Sequence, residues 1–121
     1  VRWEAEKGGE LLTKMLTCDE GASMLGEVAL IPYDSPINKL GILFYETLFD
    51  ENASCHIAMG EGFTNLIENY DRYSLEELHE KGINESMIHV DFMIGAEDMN
   101  IKGYTQDGQC VDIFVNGNWA I

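Results

Sequence analysis

The 121-residue chain is 45% apolar and 10% aromatic, which supports a packed core, and it carries a formal net charge of −15. An acidic surface repels phosphate groups, so a nucleic-acid partner and binding to an anionic membrane are both disfavoured. Residues 1–121 fit one domain, and no apolar run approaches the roughly 20 residues that cross a bilayer. No secretion signal is visible. The three cysteines are odd in number and widely spaced, which favours a reducing cytoplasm over a disulfide framework.

Hydrophobic spacing predicts the elements of the first half of the chain. Residues 3–16 fit an amphipathic helix, and residues 25–33 fit a mostly buried strand. Residues 33–36 predict a turn, while residues 42–49 fit either a strand or a short helix. A second apolar run predicts another strand over residues 53–59.

The second half opens with a polar stretch, residues 63–73, that we expect to be exposed. Ser74 and Glu77 have the spacing of a capping box, which predicts a helix over residues 75–81 that ends at Gly82. Three further strands are predicted over residues 87–94, 100–104 and 110–115. The order of elements predicts an α+β fold with a mixed, largely antiparallel sheet and a few flanking helices.

His89 and Asp91 are the first candidates for chemistry. Residues two apart in a strand point to the same face, so the imidazole and the carboxylate project side by side. Leaving either group buried without a partner costs roughly 1–3 kcal/mol. The pair on its own fits a structural hydrogen bond as well as it fits a metal site.

Glu27 and His56 are polar residues in two other apolar strands, where each needs a partner. With His89 and Asp91 they offer the nitrogen and oxygen ligands of catalytic zinc and cobalt sites, which hold a reactive water. His79 lies among charged residues of the predicted helix, so we expect it at the surface. The alternative is that Glu27 lies at a strand edge and the histidines are hydrogen-bonded core residues.

Long blocks of the sequence are similar to those of a known family. They cover residues 25–37, 41–58, 88–95 and 114–119. Together they closely resemble the C-terminal region of the M29 metallopeptidases, the group of aminopeptidase T, aminopeptidase S and PepS. The resemblance implies a cytoplasmic, usually homodimeric exopeptidase that removes N-terminal residues from peptides. It also implies two divalent metal ions, with zinc or cobalt expected.

The resemblance assigns roles to particular residues. The metal ligands of the family fall on Glu27, His56, His89 and Asp91. Asp34 and Glu51 lie in equally characteristic blocks, and we expect them to orient ligands.

This chain departs from the family pattern in two ways. The family takes a further glutamate ligand from a segment upstream, and its N-terminal domain is absent here. Residues 1–121 are therefore expected to be a C-terminal, metal-binding domain of a two-domain enzyme, with little activity alone. In addition, Phe63 stands where the family commonly has a tyrosine that assists in the transition state, and a phenyl ring cannot donate a hydrogen bond.

Two other functions remain open at this stage. The chain could be a non-catalytic dimerisation or assembly module whose polar residues are structural. It could also belong to a metal-dependent hydrolase that acts on something other than peptides. Nucleotide-binding and serine-hydrolase motifs are absent from the sequence.

Overall fold

Two three-stranded sheets and short helices build the α+β fold of this computed structural model, which describes residues 2–121. The helices are α1 Gly9–Leu16, α2 Pro36–Leu40, α3 Thr47–Asp50 and α4 Leu75–Glu80. The strands are β1 Leu25–Ala29, β2 His56–Gly60, β3 His89–Met93, β4 Ile101–Tyr104, β5 Cys110–Val115 and β6 Asn118–Trp119. Single 3-10 turns cover Glu51–Ala53, Thr64–Leu66 and Tyr70–Arg72. The predicted fold class is confirmed.

The chain contacts divide into two compact units. The first contains the residues up to Val28 together with Ile57–Phe92, and the second contains Ala29–His56 together with Met93–Ile121. No helix within residues 2–121 is long and apolar enough to cross a membrane.

The first sheet has the order β1-β2-β3, so β2 is its central strand. At one end the Gly60 amide donates to the Met24 carbonyl over 2.9 Å, and the Glu61 amide donates to Ile88 over 2.6 Å. Burial is deepest on β2, where four of the five residues are buried, whereas no residue of the edge strand β1 is buried. On β1, Leu25 and Val28 are 49% and 59% exposed. The expectation of a mostly buried strand is therefore wrong for β1.

Polar side chains hold the first unit together outside its strands. The Asn84 amide donates to the carbonyls of Gly21 and Gly60, over 2.9 and 2.6 Å. The Asp19 carboxylate accepts from the Met87 amide and the Ser86 hydroxyl, over 2.7 and 3.0 Å. Such bonds fix turn segments whose backbone groups have no partner in a helix or sheet.

The second sheet, β4-β5-β6, lies in the second unit and is antiparallel throughout. Phe114 on β5 is fully buried, and its ring meets Trp119 on β6 edge to face at 4.5 Å between centroids. Cys55 is buried in the same unit, where its thiol contacts the backbone of Ile31. Cys55 therefore behaves as a small core residue.

Several predicted boundaries shift in the structure. α1 begins at Gly9, because Gly8 has φ +72° and ends the extended segment before it. The ambiguous residues 42–49 end in helix α3, whose first turn Glu46 caps. The capping box of Ser74 and Glu77 is confirmed at the start of α4. Helix α2 and strand β6 were not predicted.

Candidate metal centre

His89 contacts two carboxylates from the outer strands of the first sheet. Its Nε2 atom lies 3.2 Å from Glu27 Oε2 and 3.3 Å from Asp91 Oδ1. The His89 and Asp91 side chains do share a face of β3, as the period of two requires. All three side chains are partly buried, with 24%, 23% and 13% of their surface exposed for His89, Glu27 and Asp91.

Small residues on the central strand allow this approach. Because side chains alternate along a strand, His56, Ala58 and Gly60 share one face of β2. Ala58 contributes a methyl group and Gly60 no side chain at all. We infer that these small side chains in the middle of the face leave space for Glu27 and Asp91 to approach each other across β2.

His56 is 2% exposed, and its ring is fixed by a backbone carbonyl. The Nδ1 atom lies 2.9 Å from the oxygen of Ser54. A carbonyl oxygen only accepts, so Nδ1 carries the proton and Nε2 of the neutral ring keeps its lone pair. This is the state in which histidine binds a metal ion.

His89 is held in the same way by a different carbonyl. Its Nδ1 atom lies 2.8 Å from the Glu61 oxygen, which leaves the lone pair of the neutral ring on Nε2. That lone pair faces the oxygens of Glu27 and Asp91 and is repelled by them unless a proton or a cation lies between. Burial lowers the pKa of His89, but the Glu61 carbonyl and the two carboxylates outweigh it and raise the pKa overall.

A metal ion fits this arrangement. Glu27, His56 and Asp91 each offer one ligand atom, and the three atoms lie within 4.8 Å of one another. Asp91 Oδ1 is buried and has no hydrogen-bond partner among the described residues, although His89 Nε2 is near enough for an ion pair. An orphan acceptor costs about 1–3 kcal/mol, which coordination would recover. Nitrogen and carboxylate donors suit divalent zinc or cobalt.

The remaining predicted residues lie in other settings. The Asp34 carboxylate pairs with Lys39 over 3.4 Å in an exposed ion pair. Glu51 opens a 3-10 turn in the second unit. Their role in orienting ligands stays a prediction. His79 is exposed on α4, as expected.

Two further residues lie beside His89 in the structure. The Phe63 ring packs against the imidazole at 5.0 Å between centroids. Glu61, between Gly60 and Gly62, supplies the carbonyl that fixes His89. The sequence analysis did not identify Glu61, because a backbone acceptor leaves no trace in residue type. Two glycines around a glutamate at the end of a buried strand were the available signal.

Known proteins match this chain over nearly its whole length. Residues 1–119 match the family described as thermophilic metalloprotease M29. Aminopeptidase AmpS of Bacillus subtilis (strain 168) is 57% identical over 97% of this chain, and Aminopeptidase T of Thermus aquaticus is 51% identical over 97%. The solved structure titled "Wild-type AmpT from Thermus thermophilus" superposes on all of this chain with a TM-score of 0.84 and 46% identity.

The matched region is one part of each relative. This chain spans 28% of the length of both aminopeptidases named above and 29% of the solved chain. The family match covers far more than half of the present chain. The chain therefore belongs to the M29 family of thermophilic metalloproteases.

Proposed function

We propose that the protein carrying this chain is a metal-dependent aminopeptidase, which removes N-terminal residues from peptides. The main observation behind this proposal is that Glu27, His56 and Asp91 each offer a ligand atom within 4.8 Å of the others. His89 joins it through the Nε2 atom that faces both carboxylates. The relatives are named aminopeptidases, which supports the choice of peptides as substrate.

The chain's own residues prepare the site for this reaction. Glu27 and Asp91 supply negative charge, and the Nδ1 atoms of His56 and His89 each contact a backbone carbonyl, which leaves Nε2 of each ring for a metal ion. A divalent ion bound there would lower the pKa of a water to about 7 and polarise the scissile carbonyl. The exposed fractions of Glu27 and His89 leave room for a peptide to approach.

The finer features of the site also belong to this proposal. We expect two ions, because the family resemblance implies a pair of divalent metals, and we expect zinc or cobalt, because both suit nitrogen and carboxylate donors. The family resemblance places a further glutamate ligand outside the matched 28% of the relatives' length. The isolated chain is therefore expected to be poorly active, and the intact enzyme to be a cytoplasmic homodimer.

Metal content and activity of the intact protein test the proposal together. The protein is purified without chelators, and bound metal is measured by plasma mass spectrometry. Hydrolysis of aminoacyl-anilides is compared with that of N-acetylated analogues, which lack the free amine. We expect bound zinc or cobalt, and cleavage of the free-amine substrates alone.

Two matched variants connect the activity to the site. His89→Ala should lower activity by more than the roughly 10–100-fold typical of residues that only orient ligands, whereas the exposed His79→Ala should leave it unchanged. A protein without transition metal, in which His89→Ala has no effect, would favour an assembly module. Bound metal with cleavage of other substrate classes but not peptides would point to a different hydrolase.

A further inference from the structure

We propose that Glu61 is a positioning residue of the candidate metal centre. Its main-chain carbonyl sets the tautomer and direction of the His89 ring, and its carboxylate holds that carbonyl in place. The proposal rests on the proposed function for the identity of the ligand that His89 binds.

Glu61 makes three hydrogen bonds to the segment that contains His89. The Glu61 amide donates to the Ile88 carbonyl over 2.6 Å, and the carbonyl receives the His89 Nδ1 proton over 2.8 Å. Its side-chain Oε2 accepts from the Ser86 amide over 2.6 Å. Residues 86, 88 and 89 are thus bound to one residue, which leaves the ring little freedom to turn.

The opposite side of Glu61 is closed by backbone. A Cβ at Gly26 would lie 2.4 Å from the carbonyl oxygens of both Gly60 and Glu61. Gly60 has φ +100°, and a Cβ there would lie 2.1 Å from the Ile88 oxygen. The Glu61 backbone is therefore packed between the residue before Glu27 and the residue before His89, and small shifts of it are passed to the metal ligands.

The carboxylate of Glu61 acts at a distance from the metal position. Without the hydrogen bond from the Ser86 amide to this carboxylate, the segment before His89 can move. The Glu61 carbonyl is then no longer aligned with His89 Nδ1. The ring then gains access to the other tautomer, in which Nε2 carries the proton and cannot bind a cation. A merely structural glutamate would affect stability without changing which ring nitrogen is protonated.

Histidine NMR of the zinc-loaded intact protein measures this directly. With ¹⁵N-histidine labelling, the ring nitrogen shifts report which atom binds zinc and which carries the proton, and exposed His79 gives an internal reference. Zinc affinity is measured in parallel by competition with a chelator. The variants are Glu61→Ala, Glu61→Gln, which keeps an oxygen for Ser86, and Glu76→Ala as an exposed control on α4.

With zinc bound, we expect His89 to carry its proton on Nδ1 in the wild-type protein, and we expect a mixture of the two tautomers in Glu61→Ala. Zinc affinity should fall by about 10–100-fold in Glu61→Ala, and Glu61→Gln should restore both readings. Glu76→Ala should match the wild type.

Several results would overturn the inference. One is a zinc-loaded wild type in which Nε2 of His89 carries the proton, a reading that needs no variant to fold. Another is a Glu61→Ala protein with unchanged tautomer and zinc affinity, which would leave the proposed function standing. A wild type that binds no zinc would overturn the proposed function and the positioning role with it.

Discussion

Glu27 and His89 approach to 3.2 Å although they lie on the two outer strands of a three-stranded sheet. Side chains on outer strands reach each other only when the central strand presents little bulk between them. Ala58, fully buried on β2, and Gly60 meet this condition. We infer that these small residues set the distance between the two candidate ligands.

Enlarging Ala58 should separate the ligands. We expect Ala58→Val to weaken zinc binding by the intact protein by at least about 10-fold, with an overpacking cost of about 1–3 kcal/mol in stability. Met59→Leu, on the opposite face of β2, conserves volume and is the control. Chelator competition and thermal unfolding give the two readings. Unchanged zinc affinity in Ala58→Val would show that Ala58 does not set the ligand distance.

Two glycines have nearly the same backbone φ, and comparing their alanine variants separates the cost of backbone strain from the cost of a steric clash. Gly60 has φ +100° and Gly82 has φ +99°, but only at Gly60 would a Cβ meet a backbone atom, the Ile88 oxygen at 2.1 Å. Gly82→Ala should cost about 1 kcal/mol from the left-handed conformation. Gly60→Ala should cost clearly more and also reduce metal binding. Equal losses in urea unfolding would contradict a tight approach at Gly60.

Asp19 should make stability depend on pH. The hydrogen bond from the Met87 amide, with others from Ser86 and Ala22, lowers the pKa of Asp19 in the folded chain despite the opposing effect of desolvation. A lowered folded pKa gives stability that is present above the unfolded value, near 3.9, and is lost as pH falls through the folded value.

The Asp19 contribution can be isolated by substitution. Asp19→Ala should lower the urea midpoint at neutral pH and by less at a pH below the folded pKa, where the wild-type carboxyl is itself protonated. Asp71→Ala, at an exposed position, should shift the midpoint little at either pH. A loss for Asp19→Ala that is the same at both pH values would mean that the charge of Asp19 contributes nothing.

The sequence was sufficient for those parts of the site that a single strand determines. His89 and Asp91 share a face because the period of two holds in any strand. Their approach to Glu27 depends on the order β1-β2-β3, which brings together segments far apart in the chain. Residue-by-residue reasoning could nominate Glu27 and His56 as buried polar groups. Only the family resemblance connected them before the strand order was known.

The missed elements have local causes. The turn predicted over residues 33–36 is present, because the Ser35 amide donates to the Pro32 carbonyl over 2.9 Å. The helix after it was missed: Ser35 caps it and Pro36 begins it, the position where proline is best tolerated. Strand β6 has two residues and carries no periodic signal. Strand β1 is apolar enough to predict burial, but Leu25 and Val28 are exposed on it, because composition does not reveal which face of a strand another element covers.

Phe63 offers a direct test of the role that the family resemblance implies for this position. Its ring packs on His89 and is 43% exposed, so a hydroxyl on it could reach a bound substrate. The resemblance implies a tyrosine here that assists in the transition state. Phe63→Tyr should therefore raise kcat of the intact enzyme, up to the roughly 100-fold that one oxyanion donor contributes, with little change in KM.

The control for this gain is Phe63→Leu, which removes the ring and adds no donor. It should not raise kcat. If Phe63→Tyr leaves kcat unchanged while the metal content stays that of the wild type, another group of the intact enzyme already donates to the transition state. A gain confined to KM would show that the hydroxyl binds substrate and transition state equally, because uniform binding lowers KM without raising kcat.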